Sequence, residues 1–144
     1  MSRFAGWRKK RAPARNGKAV SSGGRRSDLE NRYFRSTWEA NFARYLNLLV
    51  ANRIIQSWEY EPREYDFGER YRKNRFYKPD FLVHWPDGSE TYYEVKGWLD
   101  ADSLTRLRRM QKHYPMVHLE VVDGKRYRAI ASRALAFVPH WESG

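Results

Sequence analysis

Two acidic residues and a lysine lie in neighbouring apolar segments of the chain. Asp80 precedes Phe81, Leu82 and Val83, while Glu94 and Lys96 flank Val95 further along. Because Glu94 and Lys96 are two residues apart, their side chains would project from the same face of a strand. Carboxylates among apolar neighbours are costly to bury unless another charge compensates them. A divalent cation does so, and Mg²⁺ is typically held by one or two carboxylates together with waters and substrate phosphate.

This combination of residues favours phosphodiester hydrolysis. A cation bound there would polarise the phosphodiester, stabilise the charge of the transition state and lower the pKa of an attacking water. Lys96 would orient or deprotonate that water, or neutralise the developing charge. We therefore predict Asp80 and Glu94 as ligands of Mg²⁺, for which Mn²⁺ would substitute, with the carbonyl oxygen of Val95 as a further ligand. The alternative is a surface Glu–Lys pair beside a turn aspartate.

A β-hairpin would bring these residues together. Residues 81–85 and 90–98 have the composition of strands, and Pro86-Asp87-Gly88-Ser89 between them is typical of a hairpin turn. A turn centred on Asp87-Gly88 predicts that Asp80 lies opposite Val95. The two carboxylates and the lysine would then converge at one end of the hairpin.

A helix precedes the hairpin and adds a third acid. Ser36-Thr37-Trp38-Glu39 has the pattern of a capping box, and apolar residues at helical spacing predict a helix to about Asn52. As the last residue of the box, Glu39 would be a structural acid in the first turn. Glu39 also shares the apolar face of the helix, which would turn it towards the sheet. The sequence leaves both interpretations open.

The remaining patterns predict one α/β domain with a mixed β-sheet flanked by helices. We expect strands at residues 54–61, 65–67 and 117–122. We expect a helix capped by Asp100 or Asp102 and stopped by Pro115, a turn at Asp123-Gly124, and a short last helix at 129–137.

The basic residues are unevenly distributed. The chain has 28 basic and 17 acidic residues in 144, and a formal net charge of +11. We predict that residues 1–27 form a basic, flexible N-terminal arm and that residues 28–144 form the domain. Basic arms commonly bind nucleic acid through phosphates, although a solvated tail or another polyanion is the alternative. The predicted DNA-binding residues are Arg8, Lys9, Lys10 and Arg11 in the arm, and Arg70, Arg72, Lys73, Arg75 and Lys78 before Asp80.

Several classes of protein are excluded or disfavoured. No apolar run is long enough to span a bilayer, and the N-terminus lacks the apolar segment of a signal peptide. The absence of cysteine excludes disulfides and thiolate metal sites. We expect no membrane association and a cytoplasmic location, in a bacterium or a phage-infected host cell.

Taken together, these motifs resemble the PD-(D/E)xK nuclease superfamily. The similarity is carried by Arg35-Ser36-x-x-Glu39, Trp58-x-Tyr60-Glu61, Pro79-Asp80-Phe81 and Glu94-Val95-Lys96-Gly97. It covers about residues 33–123 and is closest to the phage endonuclease I-type enzymes, which resolve Holliday junctions. The resemblance implies a restriction-endonuclease-like core, divalent-metal hydrolysis and a homodimer. It also implies that Glu39 joins Asp80, Glu94 and Lys96 in the metal site.

The expected function is thus that of a metal-dependent DNA endonuclease. Its substrates would be branched DNA, or duplex DNA that it nicks, in phage or mobile-element DNA processing. The alternative is a non-catalytic DNA-binding subunit of a phage or transposition assembly on the same fold. The acids and the lysine argue for the nuclease, because binding alone would not favour carboxylates beside phosphate.

Overall fold

A four-stranded sheet between helices dominates residues 22–143, the part of the chain that the computed structural model describes. The described elements in chain order are β1 (Gly24–Arg26), a 3-10 turn (Ser27–Leu29), β2 (Arg32–Phe34), α1 (Thr37–Ala51), β3 (Ser57–Tyr60), β4 (Tyr65–Asp66), β5 (Phe76–Tyr77), β6 (Phe81–His84), β7 (Glu90–Val95), α2 (Ala101–His113), β8 (Leu119–Val122) and α3 (Gly124–Ala134).

The central sheet is mixed. Its strand order is β3-β6-β7-β8. The β3–β6 and β6–β7 pairs are antiparallel, and the β7–β8 pair is parallel. A parallel pair needs a long crossover connection, and α2 supplies it. The prediction of an α/β fold with a mixed sheet flanked by helices is confirmed. The pairs β1–β2 and β4–β5 form two small additional sheets.

Alternating side chains of the central sheet contribute to two cores. Phe81 packs against Phe42 of α1, with their ring centroids 5.1 Å apart. Its neighbour Leu82 belongs to a second cluster, which includes Leu107 of α2. Because successive side chains of a strand point to opposite faces, one strand supplies both cores. The helices are thereby held on the sheet, and the ends of its strands are held in fixed positions.

The hairpin forms, but in a register one residue away from the prediction. Phe81 pairs with Tyr93, and continuing this register places Asp80 opposite Glu94 and not opposite Val95. The loop has three residues: the Gly88 amide donates to the Trp85 carbonyl, and Gly88 has a φ of 88°. Opposed residues of an antiparallel pair share a face, so the slip places Asp80 and Glu94 on the same side.

Other predicted boundaries also differ from the structure. β7 ends at Val95, three residues before the predicted end of its strand. α3 begins at Gly124 and not at residue 129, because Asp123 is its N-cap and accepts a hydrogen bond from the Arg126 amide. The second helix is capped by Asp100, one of the two predicted caps. These boundaries differ from the predicted ones because local caps and turns set where each element begins and ends, but the order of the predicted elements is unchanged.

The folded part of the chain begins before residue 28. β1 pairs with β2, and the Arg26 side chain donates to the Glu142 carboxylate at 2.9 Å. The last six residues assigned to the arm, 22–27, therefore belong to the domain. The rest of the predicted arm, including Arg8, Lys9, Lys10 and Arg11, lies outside the described residues. Between residues 22 and 143, no helix has the length and apolar character needed to cross a membrane.

Candidate active site

A cleft opens at one end of the central sheet, where β3 and β7 end and β6 begins. The first turn of α1 forms another side of it. The cleft has a volume of about 840 Å³. The predicted residues Glu39, Asp80, Glu94, Val95 and Lys96 all line it. Residues distant in sequence thus meet because three strands and one helix have ends at the same place.

Three carboxylates converge at this cleft, and two of them, Glu39 and Asp80, line it. Oxygen atoms of Glu39, Glu61 and Asp80 lie within 4.8 Å of one another. Glu39 and Asp80 are 7% and 2% exposed. Backbone contacts fix the position of Asp80: its Oδ2 accepts from the Val95 amide at 2.8 Å, and its carbonyl accepts from the Glu61 amide at 2.8 Å. Glu61 follows β3 directly, so the sheet itself holds two of the three carboxylates together.

The Glu39 side chain faces the sheet and also contacts Ser36, the N-cap residue of α1. The Ser36 hydroxyl accepts from the Glu39 amide at 3.1 Å, which is the N-cap bond of α1. The same hydroxyl donates to Glu39 Oε1 at 3.3 Å. Glu39 Oε2 accepts from the Tyr60 hydroxyl at 2.5 Å, so the carboxylate faces inward, towards the sheet.

Glu94 and Lys96 lie beside this triad. Glu94 Oε2 accepts from the Tyr77 hydroxyl at 2.6 Å, a contact that fixes the orientation of the carboxylate. Tyr77 belongs to β5, which the sequence did not predict as a strand. The Lys96 amide donates to the Val122 carbonyl at 3.0 Å, and Lys96 lines the cleft. The spacing of Glu94 and Lys96 thus places both residues at the cleft.

Arg35 is the counter-ion of the carboxylate triad. Its Nη2 lies 2.6 Å from Glu61 Oε1 and 3.1 Å from Asp80 Oδ1. Its Nε lies 3.9 Å from Glu39 Oε2. The side chain is 59% exposed and is therefore held mainly by these charges. One guanidinium group reaches all three carboxylates of the triad.

Burial and neighbouring charges shift the pKa values of Asp80, Glu94 and Arg35. Burial raises the pKa of Asp80 well above its usual range, and the charges of Glu94 and Glu39 add to the shift. Burial likewise raises the pKa of Glu94 to about 7, although the Tyr77 hydrogen bond and Lys96 oppose it. Partial burial works to lower the pKa of Arg35, but the surrounding carboxylates outweigh it and raise that pKa.

The donor set fits a hard divalent cation. All the side-chain ligands on offer are carboxylate oxygens, and hard cations such as Mg²⁺ and Ca²⁺ bind oxygen. Glu39, Glu61 and Asp80 converge closely enough to share one ion. A cation would also favour the ionised form of Asp80 and Glu94, which burial disfavours. Glu61 thus extends the predicted ligand set, while Glu94 adjoins the triad without belonging to it.

The predicted DNA-binding residues do not form one surface at the cleft. Lys78 lines the cleft. Arg75 pairs with Asp66 at 2.8 Å, and Lys73 lies 3.4 Å from Asp102. The other two predicted residues of this stretch, Arg70 and Arg72, are exposed and do not line the cleft.

Three site residues received no role from sequence reasoning: Arg35, Glu61 and Tyr77. Arg35 and Glu61 stand within the motifs of the resemblance, which was the available signal for them. The backbone at Glu61 has a φ of 48°, which is rare for a residue with a side chain and marks a locally strained position. Tyr77 lies next to Lys78 in a basic, aromatic stretch that carried no strand pattern.

The fold and this cleft define an α/β protein with a buried acidic site beside basic residues. The chain belongs to the family described as protein of unknown function DUF1064, whose model matches residues 23–131. The match includes every element from β1 to β8 and most of α3. No match was found among curated proteins or among solved structures.

Proposed function

We propose that this protein is a metal-dependent DNA endonuclease of the PD-(D/E)xK superfamily with a restriction-endonuclease-like core. One observation carries the proposal: Glu39, Asp80, Glu94 and Lys96 line one cleft, although they come from a helix and both strands of a hairpin. The acid–acid–lysine pattern of the sequence thus corresponds to neighbouring side chains. Buried carboxylates with raised pKa values in a cleft are characteristic of functional sites.

Each residue has a role in the proposed reaction. Glu39, Glu61 and Asp80 would hold Mg²⁺, or Mn²⁺ in its place, with Glu94 and the Val95 carbonyl beside them. When bound, the metal supplies Lewis-acid stabilisation of the phosphodiester's developing negative charge. Lys96 orients or deprotonates the attacking water, and Tyr77 holds the Glu94 carboxylate.

The remaining parts of the proposal concern partners and setting. The substrate is DNA, either branched DNA such as a Holliday junction or duplex DNA that the protein nicks. The basic side chains within residues 1–21 would add phosphate contacts. Two copies of the chain would form the homodimer that the resemblance implies. The expected setting is the cytoplasm of a bacterium or of a phage-infected cell, in phage or mobile-element DNA processing.

Cleavage assays on three substrates test the proposal. Purified protein is incubated with supercoiled plasmid, linear duplex and a four-way junction, in Mg²⁺, Mn²⁺ or EDTA. We expect cleavage of at least one substrate in either metal and none in EDTA. Lys96→Ala should lose cleavage and retain its fold, while Lys125→Ala on α3 is the matched control, because Lys125 is exposed and outside the cleft.

A second outcome would favour the alternative function. If the protein binds these substrates but leaves them intact in both metals, it is a DNA-binding subunit on the same fold. In that case Lys96→Ala would alter binding only. Absence of both binding and cleavage would contradict both functions.

A further inference from the structure

Trp98 differs from the other tryptophans of the described chain. The indoles of Trp38 and Trp141 stack on Tyr127. The indole N–H groups of Trp58 and Trp85 donate to Asn47 and Thr91. Within residues 22–143, Trp98 alone among the tryptophans has neither a ring partner nor a side-chain hydrogen bond, and it is 41% exposed. A single exposed apolar ring is ordinary on a protein surface, so the surroundings of Trp98 decide its significance.

The position of Trp98 connects it with the active site. Trp98 lines the cleft and follows Lys96 by two residues. A second exposed ring, Phe76, also lines the cleft, is 47% exposed and precedes Tyr77, the residue that holds Glu94. The Arg75 guanidinium lies over the Phe76 ring, 4.8 Å from its centroid. Exposed aromatic side chains therefore adjoin the acidic site in two segments of the chain.

The charges of the cleft complement a nucleotide. Beyond the carboxylates, the cleft is lined by the cationic side chains of Lys78, Arg106 and Arg128. Its volume of about 840 Å³ lies within the roughly 300–1,000 Å³ usual for pockets that enclose a small ligand. Aromatic rings interleaved with cations are the pattern by which proteins bind single-stranded nucleic acid, since bases stack on the rings while phosphates meet the cations.

We infer that this cleft binds an unpaired nucleotide, with its base stacked on the Trp98 indole. The inference deepens the proposed function and rests on it for the cleavage step, because it names the substrate class: DNA that already contains unpaired nucleotides, such as single strands, flaps and branch points. Bases within a duplex are stacked and paired, and extracting one costs a few kcal/mol. Stacking on Trp98 therefore favours a base that is already free.

Binding without cleavage tests this inference separately from catalysis. Wild-type protein and Trp98→Ala are titrated in EDTA, at one salt concentration, with a single-stranded oligonucleotide and with the duplex of the same sequence. Trp98→Ala should bind the single strand roughly tenfold more weakly, with duplex affinity unchanged. Trp98→Phe should retain most of the affinity, whereas Trp98→Leu, apolar but not aromatic, should resemble Trp98→Ala.

A fluorescent base provides the second readout. A 2-aminopurine in the single strand should be quenched on binding to wild-type protein, because it stacks, and less quenched on binding to Trp98→Ala. Phe137→Ala is the control, since Phe137 is 75% exposed and outside the cleft. Equal affinity of wild type and Trp98→Ala for the single strand would overturn the inference, whether or not the wild type cleaves DNA. A change of molecular mass in Trp98→Ala with unchanged DNA binding would also overturn it and assign the ring to a protein interface.

Discussion

Two charged clusters contact helix α1, and they differ in their balance of charge. The first surrounds Arg44, which is buried. Its guanidinium forms two hydrogen bonds to Asp28, at 2.8 and 3.0 Å, and one to Glu142 at 2.7 Å. Arg26 also pairs with Glu142, so two arginines meet two acids. Hydrogen bonds to the arginines lower the pKa of both acids.

The second cluster is the cleft at the N-terminal end of the same helix. Four carboxylates, those of Glu39, Glu61, Asp80 and Glu94, adjoin one another there. Arg35 pairs with the first three and Lys96 acts on Glu94, while Lys78, Arg106 and Arg128 also line the cleft. The pKa values of Asp80 and Glu94 are raised, in the opposite direction to those of the first cluster. Acidic side chains in two clusters beside the same helix thus have pKa values shifted in opposite directions.

The difference in charge balance indicates that the Arg44 cluster stabilises the fold and that the cleft is a functional site. The Arg44 cluster is electrically satisfied and joins the first strand, α1 and the C-terminal segment. In the cleft, the three carboxylates of the triad share one paired cation, Arg35, and their burial costs stability unless a ligand of opposite charge binds. Such local imbalance is characteristic of sites maintained for activity. The two clusters should therefore respond in opposite ways to the loss of one charge.

The largest expected effect is on catalysis. Asp80→Asn keeps an oxygen that can accept from the Val95 amide but removes a buried negative charge. Plasmid cleavage should fall by more than the roughly 10–100-fold typical of residues behind the metal ligands. Urea denaturation in EDTA should show equal or greater stability than wild type. Glu64→Gln is the exposed control, and undiminished cleavage by Asp80→Asn would exclude Asp80 as a ligand.

Removing a charge from the balanced cluster should have the reverse outcome. Arg44→Ala leaves Asp28 and Glu142 without their buried partner, and should lower the free energy of unfolding by about 3 kcal/mol. Cleavage at a temperature where the variant is folded should match wild type. Arg133→Ala, on the exposed side of α3, should change stability by less than about 0.5 kcal/mol. A loss of cleavage with unchanged stability in Arg44→Ala would contradict the comparison.

The pH dependence of stability offers a third test. The pKa of Glu94 is about 7 in the folded protein and 4.5 ordinarily. Between these values the folded state binds more protons than the unfolded state, so metal-free stability should fall as pH rises through this window.

Saturating Mg²⁺ should oppose that fall, so its stabilising effect should grow by roughly 1–3 kcal/mol between pH 5 and pH 7.5. Urea denaturation in EDTA and in Mg²⁺ at both pH values measures the difference. Glu94→Gln should reduce it. Stabilisation by Mg²⁺ that is equal at both pH values and in both proteins would show that the metal does not interact with Glu94.

The smallest expected effect concerns Arg35. Its guanidinium pairs with the carboxylates that would hold a cation, so Arg35→Gln should strengthen Mn²⁺ binding measured by titration calorimetry. The side chain is 59% exposed, and ion pairs of that kind contribute up to about 1 kcal/mol, or about fivefold in affinity. Arg32→Gln removes an exposed pair whose residues do not line the cleft, and it should leave affinity unchanged. Weaker Mn²⁺ binding by Arg35→Gln would show that Arg35 does not compete with the metal.

The amino-acid sequence by itself determined the local elements. The capping box predicted the start of α1, and strand-forming residues on both sides of Pro86-Asp87-Gly88-Ser89 predicted the hairpin. The spacing of Glu94 and Lys96 gave their side of the strand. These features depend on neighbours in the chain, which periodicity and turn chemistry report directly. The one-residue register error arose because the turn residues allow more than one loop length.

Only the tertiary structure decided which groups meet. The Glu61 and Arg35 contacts depend on how α1 packs across the sheet, and Tyr77 reaches Glu94 from a two-residue strand without a recognisable pattern. The exposure of Trp98 likewise depends on the end of β7 at Val95. The sequence did not predict this end, because strand-forming residues continue to Trp98. Distances between remote residues are set by packing of the whole core, to which every segment contributes, and so no local pattern encodes them.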